Sequence, residues 1–195
     1  MKNLLPFLIV PFFLFSCKNK PTAASNKSSK DSTQFYPISD FILEQISYVD
    51  LRDFDIHYKK EVDGKIDSSI ISKETFRSIA TPFLDKDISK PAIKHAFTES
   101  VFQDLSTNSY TLNYRAKAAD EPIQNIDVLL FENTKTVKRL FILSQRVNGD
   151  SSILQHHNWT ANKSFQITTS TKTNTGFNSN EIIQVTWQKK NSKHE

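Results

Sequence analysis

From Tyr110 onward the chain alternates apolar and polar residues with a period of two, through six successive segments: Tyr110-Thr111-Leu112-Asn113-Tyr114, then IDVLLFE, VKRLFILSQRV, ILQHHNWT, SFQITTSTK and EIIQVTWQKK. A strand sends successive side chains to opposite faces, so this alternation specifies half-buried strands. The connections are short and polar, with Asn133-Thr134 and Asn148-Gly149-Asp150 as turn signals. A parallel crossover needs a dozen or more residues, so the segments can only pair with antiparallel neighbours, as a meander. A parallel α/β sheet is excluded on the same ground.

The residues before Tyr110 change period. In FYPISDFILEQISYVD, Phe41, Ile42, Gln45, Ile46 and Val49 recur at the helical spacing. Pro37 suits the first turn, Ser39 is the expected cap and Asp40 places negative charge near the N-terminus. FDIHYKKEV and IDSSII flank Asp63-Gly64-Lys65 and predict a hairpin with Phe54, Ile56, Tyr58 and Val62 on one face. A second helix is expected from the Ser72 cap, with Ile71 and Phe76 as a hydrophobic staple, a stripe of Phe76, Ile79 and Phe83, and an end or bend at Pro82. A third is expected with Ser89 as its cap, Pro91 in its first turn and Ile93, Phe97 and Val101 on one side. The 195 residues, 37% hydrophobic and 24% charged, suffice for one domain with a sizeable core. The expected fold is therefore α+β over residues 35–195: two or three N-terminal helices and a hairpin packed on a curved, predominantly antiparallel meander sheet.

Two of the strands are apolar on both sides. Leu129 and Phe131 oppose Val128 and Leu130, while Phe141 and Leu143 oppose Leu140 and Ile142. Open antiparallel sheets usually show water one face, so Leu129, Phe131, Phe141 and Leu143 are candidates for lining an apolar ligand or meeting a partner. The alternative is ordinary cover on both faces, by helices on one side and a curled sheet or loop on the other.

The N-terminal MKNLLPFLIVPFFLFS has a basic Lys2 followed by an apolar run from Leu4 to Phe15. A membrane span needs roughly 20 apolar residues, and this run is shorter and holds Pro6 and Pro11, so it reads as an export signal, residues 1–16. Leu14, Ser16 and Cys17 resemble a bacterial lipobox, with Phe15 departing from its usual small residue. The resemblance implies cleavage between Ser16 and Cys17 and acylation of Cys17, the single cysteine of the chain. Two or more acyl chains hold a protein stably on a membrane. KNKPTAASNKSSKDSTQ, residues 18–34, has no apolar side chain larger than alanine and reads as a tether. As a flexible coil it would average on the order of 20–25 Å end to end.

Motifs that carry chemistry are scarce. Gly64, Gly149 and Gly176 are isolated, so no phosphate loop, dinucleotide fingerprint or nucleophile elbow can be built on them. His156 and His157 are adjacent on a strand and point to opposite faces, which forbids convergence on one metal ion. Asp85-Lys86-Asp87-Ile88-Ser89 begins like a calcium loop, but the required glycine is missing, Pro91 intervenes and Ala96 stands where the closing glutamate belongs. A turn between two helices is the better reading. Trp159 and Trp187 read as core or rim aromatics, and Asp120-Glu121 as a solvated pair in a loop. The net charge of +4 is spread among both signs, which argues against nucleic acid. No cofactor and no metal are expected.

YPISDFILEQISYVD and FTESVFQDLSTNSYTLNYRAK, with the VKRLFILSQRV segment, resemble a family of small uncharacterised lipoproteins from Bacteroidota, over most of residues 35–150. The resemblance implies an address and no catalytic residue. Surface-exported lipoproteins of that group carry an acidic cluster after the cysteine. Lys18-Asn19-Lys20 lacks it, which implies an outer-membrane anchor facing the periplasm. The expected function is a non-enzymatic binding or envelope-assembly module; the alternatives are a carrier of lipid or another apolar ligand, and an enzyme with a dispersed site.

Overall fold

The computed structural model describes residues 35–190. In chain order the elements are α1 (Ile38–Asp50), β1 (Phe54–Val62), β2 (Lys65–Ile70), α2 (Lys73–Ala80), a 3₁₀ segment (Thr81–Lys86), the single turn α3 (Pro91–Lys94), β3 (Phe97–Asp104), β4 (Ser109–Ala116), β5 (Ile123–Phe131), β6 (Val137–Asn148), β7 (Ser151–Thr160), β8 (Ser164–Thr173) and β9 (Asn178–Lys189). The strands form one antiparallel sheet in the order β2-β1-β9-β8-β7-β6-β5-β4-β3. All six predicted segments are strands, and each pairs with the next, so the meander expected from short connections is present. The predicted hairpin closes through Asp63 (φ 48°) and Gly64 (φ 83°), the double positive-φ turn that Asp-Gly favours. It attaches to β9 through β1. The chain therefore leaves β2 at one edge of the sheet, crosses by α2, the 3₁₀ segment and α3, and starts the meander at the other edge as β3.

The third predicted helix is corrected. Only Pro91–Lys94 is helical, with Lys90 and not Ser89 at the cap position, and from Phe97 the chain is the edge strand β3. Ile93 and Val101 are exposed while Phe97 is buried. Residues four apart share a face in a helix and in a strand alike, so Phe97 and Val101 satisfied both periods. Pairing of Phe97 with Ala116 and of Val101 with Leu112 decided the outcome.

The cap of α1 also differs from expectation. Ser39 does not accept from the helix; its own N–H and Oγ–H donate to the Asp87 carboxylate, the N–H at 3.1 Å. Asp87 additionally accepts from Ser89 N–H at 2.8 Å. A residue nearly fifty positions away thus supplies the negative group that a helix N-terminus favours, and fastens α1 to the end of the 3₁₀ segment. The second helix starts as predicted: Ser72 accepts from Thr75 N–H at 3.2 Å. It ends at Ala80, where Pro82 directs the chain into the 3₁₀ segment.

α1, α2 and the 3₁₀ segment bury one face of the sheet. Phe76 and Phe83 enter a group of rings with Trp159 of β7, Phe165 of β8 and Trp187 of β9, with centroids 4.7–6.5 Å apart. Each fully buried phenylalanine contributes about 1.5–3 kcal/mol. Gln45 lies on the apolar stripe of α1 and is itself buried, but its amide is satisfied. It accepts from Trp159 Nε1 at 3.3 Å and from Asn162 N–H at 2.6 Å, and donates to Asn162 Oδ1 at 3.2 Å. Those bonds set α1 over the β7–β8 turn. On β5 and β6 the same face contributes Ile126, Val128, Leu130, Leu140 and Ile142. A register shift between Leu129 and Leu130 leaves Lys138 as an extra residue and keeps both Leu130 and Val137 on the buried side.

Candidate ligand-binding cleft

The buried face does not stay dry along its whole length. β6 and β7 pair so that Leu140 faces Trp159, Ile142 faces His157, Ser144 faces Gln155 and Arg146 faces Ile153. The first two rungs lie under Phe83, whose ring meets those of Trp159 and His157 edge-on at 4.9 and 5.1 Å. At the next two rungs the cover opens into a cleft of about 1030 Å³. Its floor carries Ser144, Arg146, Ile153 and Gln155; one wall is Ser78, Thr81, Pro82, Asp85 and Lys86 from α2 and the 3₁₀ segment. The opposite wall is Ala119, Asp120 and Pro122, in the loop before β5. That loop is tied down by β6. Gln145 N–H donates to Pro122 O at 2.8 Å, and the Gln145 side-chain amide donates to Ala119 O.

Charge in the cleft is paired by sign but not by contact. Among the described residues neither Lys86 nor Arg146 makes an ion pair or hydrogen bond, although Asp85 and Asp120 also line the space. Lys86 is half-buried, and burial together with the Arg146 guanidinium pushes its pKa down, against an opposing pull from Asp85. Two unpartnered cations facing one concavity repel each other and favour an anion between them. Apolar lining with a few placed polar groups is the usual composition of a ligand site.

His157 sits behind this cleft, fully buried, and neither ring nitrogen has a hydrogen-bond partner. Burial first, then the charges of Lys86 and His156, push its pKa down to about 4. His156, on the opposite face of the same strand, is exposed, as the alternation required. His57 and His95 lie on β1 and after α3, and among the described residues no histidine lines the cleft. Among the described residues no group of three His, Cys, Asp or Glu side chains is arranged to hold a metal ion. Nor is any described helix long and apolar enough to cross a membrane.

The residues singled out from sequence lie elsewhere. Ser16 and Cys17 are outside the described residues. Leu129, Phe131, Phe141 and Leu143 all lie on the sheet face away from the helices. Leu129, Phe141 and Leu143 are half-buried and Phe131 is 42% exposed. Polar neighbours interrupt them: Arg139 faces Leu129, Asp127 and Asn158 flank Phe141, and Asn125 and His156 flank Leu143. Lys138 lies over the Phe131 ring at 5.6 Å. Asp85 and Lys86 are the last residues of the 3₁₀ segment and not a turn, with Asp87 following as a cap for α1 and Lys86 lining the cleft.

Lys86, Ser144, Arg146 and Gln155 were not singled out from sequence as site residues. A signal for them exists. Ser144 and Arg146 continue the phase of Leu140 and Ile142, and Gln155 continues that of Trp159 and His157. A strand whose inward phase turns from apolar to polar leaves its cover at that point. No known protein family, curated protein or solved structure matches this chain.

Proposed function

We propose that the chain is a lipid-anchored envelope protein whose domain binds a small ligand in the cleft without transforming it. The observation that carries this reading is the open cleft beside the 3₁₀ segment, with Lys86 and Arg146 unpaired in its lining. Among the described residues its polar groups are cations, carboxylates, hydroxyls and amides, with no histidine or thiol among them. The carrier alternative, a curved sheet holding an apolar ligand, converges on the same place, because rings fill the space under the helices over β7, β8 and β9. Cys17 supplies the membrane anchor and residues 18–34 the reach, on an outer membrane facing the periplasm.

Two experiments test the two halves. Cys17→Ala should leave the signal uncleaved and abolish incorporation of labelled palmitate; normal processing would contradict the anchor. Ile153→Trp should obstruct the floor of the cleft. A small molecule extracted from the purified wild-type chain and missing from this variant supports the binding reading, and identical extracts contradict it. A second reading, docking of an envelope protein on the bare face of β5–β7, is favoured by the exposure of Phe131 and Leu154. Retention of partner binding in Ile153→Trp and its loss in Phe131→Ser would select that reading.

A further inference from the structure

The lining of the cleft restricts what it can hold. Lys86 and Arg146 supply two cationic donors without partners, one half-buried on the 3₁₀ wall and one at the β6 end of the floor. Asp85 and Asp120 are exposed on the opposing walls, so the four formal charges cancel. A polyanion would meet both carboxylates, whereas a single anionic group can reach the cations and leave the carboxylates to solvent. A cationic group would leave half-buried Lys86 with a second repulsion. Among the uncharged lining residues Pro82, Ala119, Pro122 and Ile153 are apolar, beside hydroxyl and amide groups, and a small inorganic anion would leave that apolar surface wet.

Resting on the binding reading above, we propose that the cleft takes a single-chain amphiphile with one anionic head, a carboxylate or a phosphate ester. The head is held by Lys86 and Arg146, and the chain lies along Pro82, Pro122 and Ile153. Charge-assisted bonds from two cations fix the head, and burial of the chain supplies the remaining affinity. The half-buried lysine and the guanidinium divide the work: Lys86 gives the stronger contact because less water competes for it, and Arg146 offers a planar fork to the same group.

The test uses the full chain in phosphatidylcholine nanodiscs, with dodecanoate carrying a photoreactive group at its chain end. The label should map to residues 78–86 and 144–155, and should exceed by about tenfold the label from the uncharged glycerol ester of the same chain. Lys86→Met and Arg146→Gln should each lower it about tenfold, and Lys86→Arg should keep most of it. Unlabelled dodecyl phosphate competing as well as dodecanoate supports a head site indifferent to the kind of anion. If the uncharged ester labels the cleft equally, the anionic head is wrong while the cleft remains a binding site. If acetate competes as well as dodecanoate, the apolar wall takes no part and the amphiphile is wrong. If neither probe labels the cleft, the amphiphile is wrong, and the comparison of wild-type and Ile153→Trp extracts decides separately whether the binding reading falls with it.

Discussion

At one end of the β6–β7 ladder Leu140 faces Trp159 and Ile142 faces His157, all buried; at the other, Ser144 faces Gln155 and Arg146 faces Ile153 beside an open cleft. The backbone is the same and so is the face. What differs is the cover: Phe83 closes the first pair of rungs, and past it the 3₁₀ segment presents Pro82 and Lys86 without reaching the floor. Alternation thus decides which way a side chain points. The residues along one phase decide whether it meets a helix or a ligand. One end of the ladder holds the fold together, and the unpaired cations beside the other can be changed with little effect on it.

The largest break in that comparison comes at the closed end. Phe76→Ala removes a fully buried ring from among Trp159, Phe165 and Trp187 and should cost about 3–5 kcal/mol, read from urea unfolding. Partial collapse of the ring cluster would show as a loss nearer the lower figure. A value under about 1 kcal/mol would mean that the helices do not pack on the sheet as described.

His157 marks the boundary between the ends and should make stability depend on pH. Its pKa is about 4 in the folded chain, below the ordinary histidine value, so between these the unfolded chain binds a proton that the folded chain does not. Stability should fall as pH drops from about 6.5 to 4, by on the order of 3 kcal/mol. His157→Leu should flatten that slope, and an unchanged slope would place the titrating group elsewhere.

Asp87 acts in a lower window. Burial raises its pKa, but the hydrogen bonds from Ser39 and Ser89 outweigh burial and hold it below the ordinary carboxylate value. Its contribution is present above the unfolded value of about 3.9 and is lost as pH falls through the lower folded one. Asp87→Ala should cost about 1–2 kcal/mol at neutral pH, with the gap to wild type closing below about pH 4. A gap constant with pH would assign the loss to packing.

The smallest effect belongs to the open end. Lys86→Met and Arg146→Gln remove unpaired side chains and should each shift stability by less than about 0.5 kcal/mol, while changing what the cleft binds. Equal losses at both ends would erase the distinction.

The strands were legible from sequence because alternation is local and each short connection leaves one way to pair. β3 was misread because Phe97 and Val101 fit both periods, and only the pairing with β4, a long-range fact, separates them. The Asp87 cap was invisible for the same reason: a donor and acceptor nearly fifty residues apart leave no local pattern. Leu129, Phe131, Phe141 and Leu143 were correctly placed on one face, but their polar neighbours across strands appear only once the register is known. The cleft is assembled from three separate stretches, and only the switch from Ile142 to Ser144 and from His157 to Gln155 within one inward phase hinted at it.

Backbone hydrogen exchange of the full chain in nanodiscs, with and without dodecanoate, tests most directly whether one face carries two roles. Added protection is expected in residues 78–86 and 144–155 and nowhere in 157–187, already closed by the aromatic cluster. Protection falling instead on 97–104 and 127–143 would contradict the account, moving ligand contact to the bare face of the sheet.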